Sequence, residues 1–451
     1  MNTRRRFLRN SGMLAAGLGI SRFWSDELTA AVPVLGKNTQ ASDRVNLGVI
    51  GLSMGCSDVR GALSANNGAH CIAFCDVNQT RLASQAETFN KDFPIQTAQL
   101  KQYTDFRVLL ENKDIDGVII AVPDHWHAYI FNEALKAGKA VYIEKPVANS
   151  IAECNKLVEW QSQHKRVVIT GLWQVSQPYF RQAFEILKTG VLGDVFKVHA
   201  FLCQNTNPRA ATADEEAPAT LDYEMWLGPA PARPYNAARV SGWRSFWNYG
   251  GGQQTDWGVH WLDSAFDGLK MLGLHDRSIY PKSVVSSAYK HPDSFNETPS
   301  CQTTIFEFDN FHVEWTQQVA HLYGCDQGVA WIGSKATLVC NREGLQLIPV
   351  KGSDGSMSTE PVDTPIPRKY VDGIPAHTTN WIECIRTNNI QTVSPVEKGA
   401  FATILAHSAN ISFRTGTKVT YDPRTQQFVN NPAADAYLRP AYRKPWDSIW
   451  S

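Results

Sequence analysis

The 451-residue sequence predicts an α/β protein whose first half is a doubly wound parallel sheet and whose second half is a separate β-rich domain. In the first half, short apolar runs alternate with helical stretches, which is the pattern of strand–helix–strand units. These runs are 45–50, 69–74, 115–122 and 140–143. In the second half, segments with the period-two alternation of strands follow one another. They are 196–201, 283–288, 301–308 and 311–317.

The composition is that of a soluble globular protein with no overall charge. Hydrophobic residues make up 43% of the chain and charged residues 19%, and 43 basic residues balance 43 acidic ones. A neutral chain has no global field that draws it to nucleic acid or to an anionic membrane, so a small neutral molecule is the expected partner. The nine cysteines are scattered and form no C-x-x-C pair, which argues against structural zinc and against a disulfide framework.

Residues 1–36 are predicted to be an export signal and a linker. The segment 3–9 (TRRRFLR) precedes a weakly apolar stretch at 11–20, and small residues at 29–31 offer a cleavage region. This pattern resembles a twin-arginine signal, which implies a periplasmic protein that folds before export. The apolar stretch is well short of the ~20 residues that span a bilayer, so no stable membrane span is expected. The alternative is a basic, amphipathic start to the first helix.

A nucleotide-binding turn is predicted after the first strand. Gly51, Ser53, Met54 and Gly55 lead from that strand into a helical stretch, an arrangement that places backbone N–H groups against a pyrophosphate. Asp76 ends the second strand, where a carboxylate would accept the ribose hydroxyls, and its charge favours NAD over NADP. The glycine spacing is one residue shorter than the usual G-x-G-x-x-G, so an ordinary tight turn remains the alternative.

Further cofactor-binding residues are predicted at the carboxyl ends of later strands. Pro123, His125 and His127 follow the third apolar run, and Glu144 and Lys145 follow the fourth. In a doubly wound sheet, ligands bind in the crevice beyond the carboxyl ends of the strands. These side chains are therefore expected to line the nicotinamide side of a cleft, although a structural hydrogen-bonding role fits His127 equally well.

Four segments together resemble one family of oxidoreductases. They are 122–127 (VPDHWH), 144–146 (EKP), 226–231 (WLGPAP) and 249–263 (YGGGQQTDWGVHWLD). The chain beyond the signal is similar to the glucose-fructose oxidoreductase, inositol dehydrogenase and rhizopine catabolism (Gfo/Idh/MocA) family. The resemblance implies a Rossmann domain, placed at 43–165, an α+β domain on an open, mostly antiparallel sheet, placed at 166–425, and an extension at 426–451. In the family that sheet often supports oligomers, so a homodimer or homotetramer is expected.

The reacting groups that the resemblance implies are Lys145, Asp256 and His260. The family places a lysine at the position of Lys145 between the nicotinamide ribose and the substrate hydroxyl, where its ammonium would stabilise a developing alkoxide. Asp256 and His260 are four residues apart, a spacing that puts both on one face of a helix. By resemblance His260 is the general base, with an ordinary pKa near ~6.5, and Asp256 orients it or binds the substrate.

Three residues are candidates for contacts to the substrate. Trp243 and Arg244 lie shortly before the glycines at 250–252 and could hold sugar hydroxyls, and relatives contact substrate at the position of Gln174. Two alternatives to a catalytic pair at Asp256 and His260 are a structural role in helix capping and a metal site. A metal is not predicted, because no tight ligand cluster accompanies the histidine.

Three functions are consistent with these residues. The first is reversible hydride transfer between NAD and a secondary hydroxyl of a sugar or glycoside. The second is NAD-dependent glycoside cleavage through transient oxidation, although the glycosidases of the family carry a T-Y-P-T-H-G-type run where this chain has 254–260 (QTDWGVH). The third is a non-catalytic sugar-binding protein on a degenerate dehydrogenase fold. Retention of Lys145, Asp256 and His260 favours an enzyme.

Overall fold

Two sheets and the helices around them make up the described part of the chain. The structure is a computed structural model, and it describes residues 44–204, 208–318, 322–359 and 370–450. The export signal predicted for residues 1–36 lies outside these residues. No described helix combines the length and the apolar character that crossing a membrane requires.

The first sheet has six parallel strands in the order β3-β2-β1-β4-β5-β6, which confirms the predicted doubly wound parallel sheet. The strands are β1 Val45–Ile50, β2 Ala69–Cys75, β3 Lys101–Tyr103, β4 Gly117–Ile120, β5 Ala140–Ile143 and β6 Val168–Thr170. The central strands are apolar runs because helices cover both faces of the sheet. The strand order reverses between β1 and β4, and a ligand crevice forms at such a switch point.

The first five helices flank this sheet. They are α1 Met54–Ser64, α2 Gln79–Asp92, α3 Phe106–Glu111, α4 His127–Lys136 and α5 Ile151–His164. Asn78, Asp105 and Ser150 cap α2, α3 and α5 with side-chain oxygens that accept hydrogen bonds from backbone N–H groups. Helix α1 differs, because Ser53 makes no such bond and the first turn holds no acidic residue. The N–H groups that begin α1 are therefore left for another partner.

The second sheet has seven strands in the order β13-β12-β11-β7-β10-β9-β8. The strands are β7 Val195–Leu202, β8 Ser283–Tyr289, β9 Cys301–Glu307, β10 His312–Gln317, β11 Gln327–Gly333, β12 Ala336–Cys340 and β13 Leu345–Pro349. Strands β7 and β10 pair in parallel, and the other five pairs are antiparallel. The predicted open, mostly antiparallel sheet is confirmed, with the four predicted strands within a few residues of their expected bounds.

The helices of the second half pack on this sheet and on the first domain. They are α6 Pro178–Lys188, α7 Tyr223–Leu227, α8 Ala237–Ser241, α9 Gly252–Asp256, α10 Gly258–Met271, α11 Ile374–Thr387, α12 Val396–Thr415 and α13 Pro432–Asp435. A short ribbon of β14 Tyr421–Asp422 and β15 Gln427–Phe428 follows α12. Helix α10 lies directly on the sheet, where the Trp331 indole donates to the Ala265 carbonyl at 3.2 Å.

The two halves are more closely joined than the sequence boundary at 165 suggests. Strand β6 lies beyond that boundary and pairs with β5, so it completes the first sheet. Helix α11 returns to the first domain, where a Cβ added to Gly61 of α1 would come within 2.5 Å of the Ile374 side chain. Helix α12 packs against α5 and α10 and thus bridges the halves. Sequence periodicity does not predict these contacts of β6, α11 and α12, because each contact joins segments that are distant along the chain.

The predicted C-terminal extension at 426–451 covers the turn that follows β4. The Trp446 ring lies 4.8 Å from the Trp126 ring, centroid to centroid. The Tyr442 hydroxyl donates to the His125 carbonyl at 3.1 Å and also bonds the Glu153 carboxylate. The extension therefore fixes the backbone of the 124–126 turn, which lies at the carboxyl edge of the first sheet.

Candidate active site

The short glycine loop after β1 meets the steric demands of a nucleotide-binding turn. Gly51 has a φ of 92°, and a Cβ there would lie 2.3 Å from the Ala121 carbonyl oxygen. A Cβ added to Gly55 would meet the Val49 side chain at 2.8 Å. Gly51 thus allows the tight turn, and Gly55 allows α1 to pack closely on β1. The tight turn and the close packing are therefore both retained, although the middle glycine of the usual motif is absent.

The residues around this loop fit an NAD cofactor. The uncapped N–H groups at the start of α1, at Ser53 and Met54, can receive a pyrophosphate. Asp76 is buried at the end of β2, where its Oδ2 accepts from the Leu52 N–H at 2.9 Å and its Oδ1 from the Asn78 N–H at 2.8 Å. Arg81 also contacts its Oδ2, at 3.3 Å. A carboxylate has about four acceptor positions, so one remains for a ribose hydroxyl.

Lys145 and Asp256 form the central ion pair of the site. The Lys145 Nζ lies 2.5 Å from the Asp256 Oδ1 and 3.0 Å from the Asp256 carbonyl oxygen. The Arg244 Nε lies 3.2 Å from the same Oδ1. Burial raises the pKa of Asp256, but the two cations outweigh it and bring the pKa to about 2. Asp256 is therefore ionised at neutral pH and holds Lys145 at the carboxyl edge of the first sheet.

His260 is buried beside this pair as a neutral imidazole. Burial holds its pKa well below the ordinary value, and the positive charges of Lys145 and Arg342 lower the pKa further. The ordinary pKa expected from the sequence is therefore wrong for this position. The His260 Nδ1 is buried and has no hydrogen-bond partner among the described residues. A buried polar atom left without a partner is a candidate contact for a ligand.

The side chains of Asp256 and His260 have different partners in the structure. Asp256 is the last residue of α9, and His260 lies in the first turn of α10, with Trp257 between the two helices. Within the described chain, the Asp256 carboxylate contacts Lys145 and Arg244 and makes no hydrogen bond to His260. The backbone stays helical at Trp257, whose N–H donates to the Gln253 carbonyl at 3.0 Å, so the difference between the two side chains lies in their partners.

The histidines after β4 are held by main-chain carbonyls. The His127 Nδ1 lies 2.7 Å from the Pro146 carbonyl, and its Nε2 lies 2.9 Å from the Val122 carbonyl. The His125 Nε2 lies 3.1 Å from the Trp226 carbonyl. Burial lowers the pKa of both histidines to about 4. This geometry favours a structural role, in which His127 ties the turn after β4 to the turn that carries Lys145.

Other predicted residues also lie around the pair. The Glu144 Oε2 accepts from the Lys145 N–H at 3.0 Å, so Glu144 braces the lysine turn. Pro123 begins the 124–126 turn, where its carbonyl accepts from the Trp126 N–H at 3.0 Å. The Arg244 guanidinium stacks on the Trp243 ring at 4.3 Å.

Gln174 lies on the far side of His260. It is buried, with its Nε2 3.5 Å from the His260 carbonyl. The amide is thus engaged with α10, and its Oε1 faces the Arg342 guanidinium at 3.5 Å.

One residue of the site, Arg342, was missed from the sequence, whereas Asp124 belongs to the segment 124–127 that was expected to line the cleft. Asp124 is buried, and burial raises its pKa well above the ordinary value, partly offset by Arg244. Arg342 lies in the turn between β12 and β13, outside every recognised motif, and no local pattern marks it. Among the described residues, no group of three His, Cys, Asp or Glu side chains could hold a metal ion.

The two sheets and the residues gathered at the carboxyl edge of the first sheet define a two-domain protein of the nucleotide-binding α/β class. Residues 45–172 match a family described as "Oxidoreductase family, NAD-binding Rossmann fold". Residues 196–299 match one described as "Oxidoreductase family, C-terminal alpha/beta domain". The chain belongs to the Gfo/Idh/MocA family of oxidoreductases, and its first domain is an NAD-binding Rossmann domain.

Relatives extend this comparison. An inositol 2-dehydrogenase from Salmonella paratyphi B is 29% identical over 154 residues, which are 34% of this chain and 44% of the relative. The chain thus matches less than half of that relative's length. Levoglucosan dehydrogenase, solved with NADH and levoglucosan, has a TM-score of 0.62 at 16% identity, over 83% of this chain and 99% of that one. The WlbA dehydrogenase of Bordetella pertussis, solved with NADH and UDP-GlcNAcA, has a TM-score of 0.59 at 15% identity, over 84% and 99%. At these identities the two structures share the fold.

Asp76→Ala is expected to weaken NAD binding about tenfold or more. The substitution removes an acceptor for the ribose hydroxyls and the hydrogen bond that the Asp76 carboxylate accepts from the Leu52 N–H. Titration of purified protein with NAD by calorimetry measures the dissociation constant. Asp92→Ala, which removes a half-exposed carboxylate paired with Arg60, is the matched control and should leave affinity unchanged. Equal affinity in the Asp76 variant and the parent would reassign this carboxylate to structure alone.

Proposed function

We propose that this chain is an NAD-dependent dehydrogenase that acts on a secondary hydroxyl of a sugar or glycoside. The observation that carries the proposal is the buried His260, whose Nδ1 lacks a partner among the described residues, beside the Lys145–Asp256 ion pair. Bound NAD would take up or give the hydride at the reacting carbon. The chain's own groups would hold NAD through the Gly51 turn, the start of α1 and Asp76.

The roles of the three central residues follow from their charges. Lys145 donates a hydrogen bond to the substrate oxygen, and its positive charge stabilises the alkoxide that develops there. Asp256 remains ionised and keeps the ammonium in place. His260 is neutral, so one of its ring nitrogens has a lone pair that can accept the hydroxyl proton. Arg244 and Trp243, stacked on one another, are suited to hold further hydroxyls of a sugar ring.

The named relatives support this substrate class. The Salmonella relative is an inositol 2-dehydrogenase, and the levoglucosan dehydrogenase structure contains a sugar anhydride together with NADH. Inositol and levoglucosan both present secondary ring hydroxyls. These names support a polyhydroxylated ring as the substrate without specifying which ring or which carbon.

Lys145→Ala and His260→Ala are each expected to lower kcat by about a hundredfold to ten-thousandfold, because one removes the alkoxide-stabilising charge and the other the base. NADH formation from a panel of pyranoses and glycosides measures the rate, and circular dichroism confirms that each variant folds. Lys156→Ala, at an exposed pair with Glu159, is the control. A near-normal rate in either site variant would remove that residue from the chemistry.

The same panel separates the proposed dehydrogenase from its alternatives. Glycoside cleavage without net NADH would favour transient oxidation followed by elimination. Binding of sugar without NADH formation or cleavage would favour a non-catalytic protein. Net NADH that scales with sugar consumed is the result expected for a dehydrogenase.

The pH profile is expected to show no acid limb near the ordinary histidine pKa of ~6.5. The folded pKa of His260 is lowered, so the protonated form, which cannot accept a proton, appears only well below that value. Asp256, with a pKa of about 2, also stays ionised. We therefore expect kcat/KM with saturating NAD to stay level as the pH falls through ~6.5. Loss of kcat/KM with a midpoint near 6.5 would contradict a neutral, desolvated base.

We also propose that the chain is exported by the twin-arginine route to the periplasm. Arg4 and Arg5 in the TRRRFLR segment support this location. Replacing both by Lys, which keeps the charge, should leave the folded protein in the cytoplasm, whereas Arg9→Lys should not. Cell fractionation measures the distribution, and periplasmic recovery of the double variant would contradict the proposal.

A further inference from the structure

Arg342 is enclosed by aromatic rings next to the site. It lies in the turn between β12 and β13, where the Asn341 Oδ1 accepts from the N–H groups of Glu343 and Gly344 at 2.8 and 3.0 Å. Its guanidinium carbon is 4.4 Å from the Trp173 ring, and two further indoles lie nearby. They are Trp257 at 4.8 Å and Trp261 at 5.6 Å. The turn thus presents a guanidinium against a wall of indoles.

No carboxylate pairs with Arg342 among the described residues. Its Nε is buried without a hydrogen-bond partner, and its side-chain contact to the Gln174 Oε1 is long, at 3.5 Å. Other enclosed arginines in the described part of the chain are paired: Arg239 with Asp214, and Arg277 with two aspartates. Burial lowers the pKa of Arg342 to about 10, so it still carries its charge at neutral pH. A buried charge without a counter-ion is unfavourable unless something else compensates it.

The position of Arg342 connects this unpaired charge to the reacting groups. It is one of the two cations that lower the pKa of His260. The rings of Trp173 and Trp257, which it stacks on, lie 6.2 and 6.3 Å from the His260 ring. Gln174 joins the Arg342 guanidinium to the His260 carbonyl. Arg342 therefore borders the place where the substrate of the proposed reaction would lie.

We propose that Arg342 binds a carboxylate on the sugar, so that uronic acids and their glycosides are the preferred substrates. This inference rests on the proposed function and specifies its substrate class. The charges of the cleft agree with it, because Lys145 and Arg244 share the carboxylate of Asp256, and no carboxylate of the described residues forms an ion pair with Arg342. A guanidinium binds a planar carboxylate with two parallel hydrogen bonds, and the free Nε supplies one of the donors.

A carboxylate fits this place better than a phosphate does. Arg342 is a single cation among apolar rings, and a carboxylate brings one negative charge to match it. A phosphate ester brings nearly two charges and more oxygens, which need several donors. The aromatic wall offers apolar faces for the carbon skeleton of a pyranose beside the acid group.

The test compares sugars that differ only in one group. Glucose is paired with glucuronate, and galactose with galacturonate, and NADH formation by the full chain gives kcat/KM for each. We expect the acid of at least one pair to exceed its neutral partner by about tenfold or more. Arg342→Gln should lower kcat/KM for that acid by about tenfold to a hundredfold more than it lowers kcat/KM for the neutral partner. Arg342→Lys should restore part of the loss.

The matched control is Arg414→Gln. Arg414 also stacks on aromatic rings, at 4.7 Å from Trp247 and 4.0 Å from Tyr437, and it is not among the charges that act on His260. This variant should leave the ratio of acid to neutral sugar unchanged. Equal losses for acid and neutral sugar in the Arg342→Gln variant would overturn the proposal, because they indicate a role in packing.

Two further measurements keep this inference separate from the proposed function. Quenching of tryptophan fluorescence by glucuronate and by glucose reports binding near Trp173 and Trp257 without any turnover. Suppose that no sugar yields NADH, but glucuronate binds more tightly than glucose and Arg342→Gln removes that difference in affinity. The proposed dehydrogenase function is then rejected, and the proposed carboxylate site is supported. The carboxylate site would be overturned if neutral sugars were preferred in both assays. It would also be overturned if the protein preferred glucose 6-phosphate to glucuronate and this preference depended on Arg342.

Discussion

The ion pair between Lys145 and Asp256 is the interaction on which the site depends, because it joins the two domains where the reaction is proposed to occur. Lys145 follows β5 of the parallel sheet, and Asp256 ends α9 of the second half, 111 residues later. The side chains are only 10% and 17% exposed, so water screens their attraction little. Removal of one partner from a buried pair leaves the other charge uncompensated, at a cost of about 3–5 kcal/mol.

This pair sets the protonation of its neighbours. The positive charge of Lys145 helps to hold His260 neutral, while Asp256 stays ionised between two cations. Asp124, on which the charges of Arg244 and Lys145 also act, has its pKa raised by burial. The environment thus drives the pKa values of two nearby carboxylates apart, which is how proteins assign different roles to the same chemical group. Only the folded chain brings these groups within reach of one another.

The surrounding framework holds both partners of the pair in place. On the Lys145 side, His127 connects the turn after β4 to Pro146, and the C-terminal extension covers that turn through Tyr442. On the Asp256 side, α10 is tied to α12 by Lys398, which lies 2.7 Å from Asp267 and 3.2 Å from Asp263. His127 and Lys398 are buried, so both sides of the ion pair are supported by packed residues.

The sequence by itself predicted four of the six strands of the first sheet, four of the seven strands of the second, the glycine turn and the position of Asp76, and its motifs marked the three central residues. These features are local: apolar periodicity, turn glycines and short motifs are recorded in residues that are neighbours along the chain. Only the tertiary structure decided that β6 belongs to the first sheet, that Asp256 pairs with Lys145 and Arg244, that His260 has a low pKa, and that Arg342 borders the site. Pairing, burial and electrostatic coupling depend on which distant segments pack together, and no local pattern contains that information.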